Sequence, residues 1–194
     1  MAARRVAASD MARAIESAMA KAKWPDRWLM TDERMGDGLF PALEGVPTGG
    51  GVVFRHHDDP DRTKLAQEVA GIARARGLLM CVSHDVGLAR NVGAQLVHNP
   101  ASPTGDLPLS LAVHTLIQAD EANSRSAALA FVSPLFSTRS HPGSLPLSRD
   151  EAARIVAQLD CPAIALGGVD AQNYATIESL GFSGWAGIDA WLRT

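Results

Sequence analysis

Only two cysteines occur in the 194 residues, Cys81 and Cys161. They stand in apolar strand-like segments and lack the C-x-x-C spacing of zinc or redox motifs. A disulfide framework and a structural metal are thereby excluded as organising devices, and two buried thiols are expected. No apolar run reaches the roughly 18 residues that a membrane span needs, and Arg4 and Arg5 precede no signal-like apolar core. No membrane partner is expected, and the cytoplasm is the expected compartment. Basic charge is also lacking. A net charge of −3 leaves no field suited to a phosphate backbone, so small molecules rather than nucleic acid are the expected partners. A glycine-rich dinucleotide loop is missing too: after the first apolar run stands Thr31-Asp32-Glu33-Arg34.

What the chain does have is a regular alternation. Short continuous apolar runs cover 28–30, 51–54, 78–82, 94–97, 108–113, 127–132, 162–166 and 183–188, with helical spacing between most of them. Asp59-Pro60 marks one helix start and Gly77 its end. Ser148 and Glu151 form a capping box, and a helix from Asp170 to Leu180 stops at Gly181. Continuous apolar strands of this kind belong to parallel sheets covered on both faces. The expected fold class is α/β, a single compact (β/α)8 TIM barrel spanning 1–194. Residues 1–23 add a leading helix, with Ser9 as its cap and Met11, Ile15, Ala18, Met19 and Ala22 on one face.

In such barrels the site lies where the strands end. All six histidines fall on that rim or its loops: His56, His57, His84, His98, His114 and His141. Imidazoles titrate near neutral pH, so a cluster of them points to proton transfer or phosphate binding. His56 and His57 are adjacent, so one points inward and the other outward. Gly167 and Gly168 after the seventh run, with Gly187 and Ile188 after the eighth, suit a phosphate cradle of backbone N–H groups.

The order of these pieces resembles the thiamine phosphate synthase and TenI family from about Trp28 onward. Leu29-Met-Thr-Asp32, Val53-Phe-Arg55, Asp85-Val-Gly-Leu-Ala89, Val97-His98 and Ala112-Val-His-Thr115 are similar to its successive strand motifs. Ser133-Pro-Leu-Phe136 with Thr138, and Ala163-Ile-Ala-Leu-Gly-Gly-Val169 with Asn173, match its sixth and seventh segments. The resemblance implies thiamine biosynthesis and a small phosphorylated heterocycle as ligand, and leaves a homodimer open. Family synthases join an aminopyrimidine pyrophosphate to a thiazole phosphate, with magnesium on the pyrophosphate.

Here the chain departs. His57 stands for a lysine and Ser83-His84 for an Asn-Asp pair carrying a metal ligand. A second metal-binding aspartate is absent after His98, His141 replaces a sixth-loop lysine, and Asp189 replaces a phosphate-binding serine. Magnesium favours hard carboxylate oxygens, so no cofactor is expected unless the chain is an active synthase. The residues expected to act in catalysis are His114, Arg55 and His57. Those expected to bind substrate or phosphate are Ser83, His84, Thr138, Ser140, His141, Gly167, Gly168, Gly187, Ile188 and Asp189. Because His114 matches the acid–base residue of the thiazole tautomerases, the leading expectation is metal-independent, tautomerase-like chemistry. A diverged synthase and a non-catalytic phosphate-ligand-binding barrel are the alternatives.

Overall fold

The first apolar run forms β1 (Arg27–Met30), and the run beyond the glycine-rich stretch forms β2 (Gly51–Phe54). The computed structural model describes residues 24–137, 143 and 145–192, so the expected leading helix lies outside the described residues. Its other strands are β3 (Leu79–Ser83), β4 (Leu96–His98), β5 (Leu109–Val113), β6 (Leu129–Val132), β7 (Ala163–Ala165) and β8 (Gly184–Gly187). Each is parallel to its sequence neighbours and β8 pairs with β1, closing the expected eight-stranded barrel.

Helices α1 (Leu39–Gly45), α2 (Arg62–Ala75), α3 (Val86–Val92), α4 (Leu116–Ser124), α5 (Arg149–Gln158) and α6 (Ala171–Tyr174) cover the outside. The connection from β4 to β5 has no helix. Ser148 caps α5 through the expected box with Glu151. Two ends differ from expectation. Asp59 Oδ1 accepts the Asp61 N–H at 2.8 Å, and this local turn delays the start of α2 to Arg62. The Asp170–Leu180 stretch is not one helix but the short α6 followed by a 3-10 turn (Glu178–Leu180), which Gly181 ends at φ +95.

Because strand side chains alternate, one set fills the barrel and the other packs under the helices. Trp28, Met30, Val53, Cys81, Leu96, Leu129, Phe131, Ile164 and Ala186 form the inner cluster. Trp28 lies in register with Gly51 and Ala186, and a Cβ on Gly51 would sit 2.3 Å from the indole, so glycine is what lets the ring fill the barrel. The indole meets Phe131 edge to face with ring centroids 5.5 Å apart. Cys81 is buried as expected, whereas Cys161, two residues before β7, is only partly buried. Among the described residues no helix is long and apolar enough to cross a membrane.

Candidate active site

At the end of β1, Asp32 leaves the strand in an extended conformation and caps the 3-10 turn Glu33–Gly38 by accepting the Arg34 N–H. Its carboxylate also accepts Arg34 Nε at 2.6 Å and Nη2 at 3.0 Å, and Arg55 Nη2 at 3.0 Å. Hydrogen bonding to Arg34 is the main reason the Asp32 carboxyl is held below its usual range. Arg55, just past β2, is further fixed by donating Nε to the Thr31 carbonyl at 3.0 Å. Burial lowers the Arg55 guanidinium against the raising effect of Asp32. Asp189, in the 3-10 turn Asp189–Trp191 after β8, reaches the same group electrostatically. Arg34 is raised first by its hydrogen bond to Asp32, and also by the charges of Asp32 and Asp189. Acid and base thus alternate around the β8–β1–β2 rim.

The next corner, where β2 and β3 end, gathers His57, His84 and Arg62. The rings of His57 and His84 meet edge to face with centroids 4.9 Å apart. Arg62, the first residue of α2, donates to the carbonyls of His56 at 2.6 Å and Ser83 at 3.0 Å and to Asp85 Oδ2 at 3.0 Å. It therefore ties the two strand ends together and leaves a fixed positive charge beside the imidazoles. Burial, then His84 and Arg62, lowers the pKa of His57. The expected division of the adjacent pair holds. His56 is buried with Nδ1 3.0 Å from Thr31 Oγ1, while His57 is exposed. Ser83, expected to meet a ligand at the rim, is instead buried as the last residue of β3, and it engages Arg62 through its carbonyl.

One histidine expected on the rim is not there. His98 is buried, with Nδ1 3.1 Å from Ser110 Oγ and its ring edge-on to Phe131 at 5.2 Å. β4 ends a residue later than the apolar run suggested, so His98 is an in-strand residue with the same inward parity as Leu96. Burial depresses it to about 3.

His114 follows β5 and is exposed. Its Nδ1 lies 2.7 Å from the Ser133 carbonyl, an acceptor, so Nδ1 carries the hydrogen and Nε2 is the basic atom of the neutral ring. Thr115 beside it caps α4. Farther round, Gly167 and Gly168 both take left-handed φ, +89 and +65. The Gly167 carbonyl accepts from Phe136 N and the Gly168 carbonyl from Asn173 Nδ2. Across planar trans peptides the N–H groups of Gly168 and Val169 point away from those partners. Close packing demands the glycines: a Cβ on Gly168 would lie 2.4 Å from the Ser137 carbonyl, and one on Gly187 would lie 3.0 Å from that of Val169. The β7 and β8 turns therefore meet, bringing Gly167, Gly168, Gly187 and Ile188 to one side of the mouth. Thr138, Ser140 and His141 lie outside the described residues.

Arg62, and the pairing of Arg34 with Asp32, were not anticipated as parts of the site. Arg62 sits at a helix start, where a charged residue is ordinarily just solvated. The signal available was its position at the start of the helix that follows β2. Among the described residues no group of three or more His, Cys, Asp or Glu side chains gathers as a metal ion would need.

A profile of the thiamine monophosphate synthase (TMP-TENI) family matches residues 39–191. The thiamine-phosphate synthase of Chloroflexus aurantiacus is 26% identical over 182 residues, spanning 84% of this chain and 83% of its own length. That of Herpetosiphon aurantiacus is 28% identical over 142 residues, spanning 67% of this chain and 68% of its own. Among solved structures, the thiamine phosphate pyrophosphorylase from Pyrococcus furiosus shares the fold with a TM-score of 0.72 at 22% identity, covering 85% of this chain and 86% of that one. With its profile spanning most of the barrel and the strand-end motifs in place, the chain belongs to the thiamine monophosphate synthase family.

Proposed function

We propose that this chain is a diverged thiamine phosphate synthase of thiamine biosynthesis, acting as one domain over residues 1–194. It joins an aminopyrimidine pyrophosphate to a thiazole phosphate, with diphosphate as leaving group. The observation that carries this reading is that one mouth offers two separate anion-suited places. One is the glycine turns after β7 and β8, with amides of Gly168 and Val169 turned from their carbonyl partners. The other is the Arg55, Arg62, His57 and His84 corner after β2 and β3. A reaction between two phosphate-bearing partners needs both, whereas moving a proton on one phosphate ester needs only the first. The relatives' names point the same way. In this reading the glycine turns and Ile188 hold the thiazole phosphate, Arg55 and the histidine pair hold the diphosphate, and Asp189 is drawn toward Arg34 rather than toward the phosphate.

Magnesium is what the family's synthases place on the pyrophosphate, and the donor set here does not suit it. Asp85 spends Oδ1 on the Leu88 N–H and Oδ2 on Arg62. Asp32 is divided between Arg34 and Arg55, and Glu33 Oε1 accepts the N–H groups of His57 and Asp58. Asp32 and Asp85 would have to give up an arginine or a backbone amide to serve a hard cation, which leaves Glu33 Oε2 as the one uncommitted oxygen of these three carboxylates, too few for magnesium. His57 and His84 are thus left to meet the leaving group, beside Arg55 and Arg62, which are already paired with Asp32 and Asp85.

The test is to mix the purified protein with both substrates, with and without magnesium, and follow thiamine phosphate and released pyrophosphate together. Turnover on the order of 1 per second supports the synthase; none under either condition refutes it. A second reading, metal-independent thiazole tautomerase chemistry, is favoured by His114. The Ser133 carbonyl fixes its ring in one tautomer, leaving Nε2 as the base. Turnover of a thiazole carboxylate phosphate in place of thiamine phosphate formation would select it. Phosphate-ester binding with neither turnover would leave a non-catalytic barrel.

A further inference from the structure

The mismatch between magnesium and the β2–β3 corner raises the question of what offsets the charge of a diphosphate there. His57 and His84 are both exposed at the rim, in edge-to-face contact at 4.9 Å. His84 is held on left-handed backbone, φ +67, which disfavours any residue carrying a Cβ. Its N–H donates to the His98 carbonyl at 2.8 Å and its carbonyl accepts from Ala101 at 3.1 Å, so the strain is maintained by the β4 end.

Charged and titratable groups reach this pair from every neighbouring element. The turn after β1 supplies Glu33, which is engaged by backbone amides of His57 and Asp58. β2 supplies Arg55 and His56, α2 supplies Arg62, the turn after β3 supplies Asp85, already bonded to Arg62, and β4 supplies His98 beneath. Without an anion, burial and the neighbouring His84 and Arg62 disfavour a proton on His57. A diphosphate reverses that balance. Its oxygens accept from ring N–H groups, and its charge favours a protonated His57.

We propose that a diphosphate group binds at this corner with uptake of a proton by His57, whose imidazolium, edge-on to the His84 ring, stands in for a divalent cation. This rests on the synthase reading and names how that site holds its leaving group. It also accounts for the substitution of imidazole where lysine and carboxylate are expected, since a switchable cation can release diphosphate by losing its proton.

Inorganic pyrophosphate is the probe, titrated calorimetrically into the full chain between pH 8 and pH 6 in EDTA and again with magnesium. The wild type is compared with a His57→Gln/His84→Asn double variant. Asparagine tolerates left-handed backbone at position 84, and thermal unfolding checks that the variant is folded. Wild-type affinity should rise as pH falls, by up to roughly tenfold per pH unit for each proton taken up, beyond the slope of the variant. Magnesium should add little.

Buffers of differing ionisation enthalpy give an independent count. Binding beside cations would strip protons from pyrophosphate itself, so a net uptake comes from the protein. That count decides the matter alone should the variant not fold. Equal slopes, no net uptake, or affinity seen only with magnesium overturns the proposal and leaves the synthase reading standing. Absence of pyrophosphate binding at every pH, with or without magnesium, sinks both.

Discussion

Replacing Gly168 with alanine would place a methyl group where the turn after β7 has no room for one. The backbone there has φ +65, and the added Cβ would lie 2.4 Å from the Ser137 carbonyl oxygen and 3.0 Å from Phe136 Cβ. The left-handed conformation costs alanine about 1–2 kcal/mol. Overpacking against backbone, which cannot rotate away, adds about 1–3 kcal/mol. A loss of about 2–5 kcal/mol is expected, a fall in Tm on the order of 5–15 °C for a chain of this size.

Gly93→Ala is the control. Gly93, closing α3, has φ +70 with no atom within 4 Å of its added Cβ, so it bears the conformational cost alone. The difference between the two variants isolates the contact with the sixth loop. The assay is thermal unfolding with and without inorganic phosphate. Gly168→Ala should melt well below Gly93→Ala and lose the stabilisation by phosphate that Gly93→Ala keeps. Should both variants melt alike and respond alike to phosphate, the turn is not shaped by that contact and the cradle reading fails.

Three further outcomes are expected. His98 stays neutral in the fold down to about pH 3 while the unfolded chain takes its proton near 6.5, so in that window the unfolded state binds more protons. Stability should therefore fall by up to roughly tenfold in the folding constant per pH unit below 6.5 and be flat above it, a slope that His98→Gln removes in urea titrations between pH 4 and pH 7. Asp32→Asn should cost about 1 kcal/mol at pH 7, because Arg34 is half exposed and screened and asparagine still offers Arg55 an acceptor oxygen. The Asp32 carboxyl is lowered, so its contribution is complete above its ordinary value of 3.8 and lost as pH falls through the folded value; equal urea midpoints for wild type and variant at pH 7 would contradict the pairing. His114→Asn should stay folded, since the side chain is exposed, and should lower any turnover of a thiazole carboxylate phosphate by about 10²–10⁴-fold. Unchanged turnover would remove His114 from the chemistry.

Much of the barrel is written locally. Eight short apolar runs separated by turn residues can satisfy their backbone groups and bury both faces only as a parallel sheet under helices, and the caps at Asp85, Thr115 and Ser148 set their helix starts through contacts within a few residues. The glycine pair at 167–168 was legible for the same reason, because left-handed backbone is a local property. The rim was legible only as a set of strand ends.

Which of its residues face one another depends on register and closure, which join residues far apart in the chain. Asp32 meets Arg55 because β1 pairs with β2, and Arg62 reaches Ser83 and Asp85 because β2 pairs with β3. His98 reads as a rim histidine until β4 runs one residue further and its parity turns the ring into the barrel against Phe131. Sequence alone determined the eight strands and the tight glycine turns, and most of the helices between them to within a turn, because those preferences act over a few residues. Only the closed barrel decided which charges neutralise each other, which histidines are buried and which remain to meet an anion, because electrostatics and burial depend on distances that chain order does not contain.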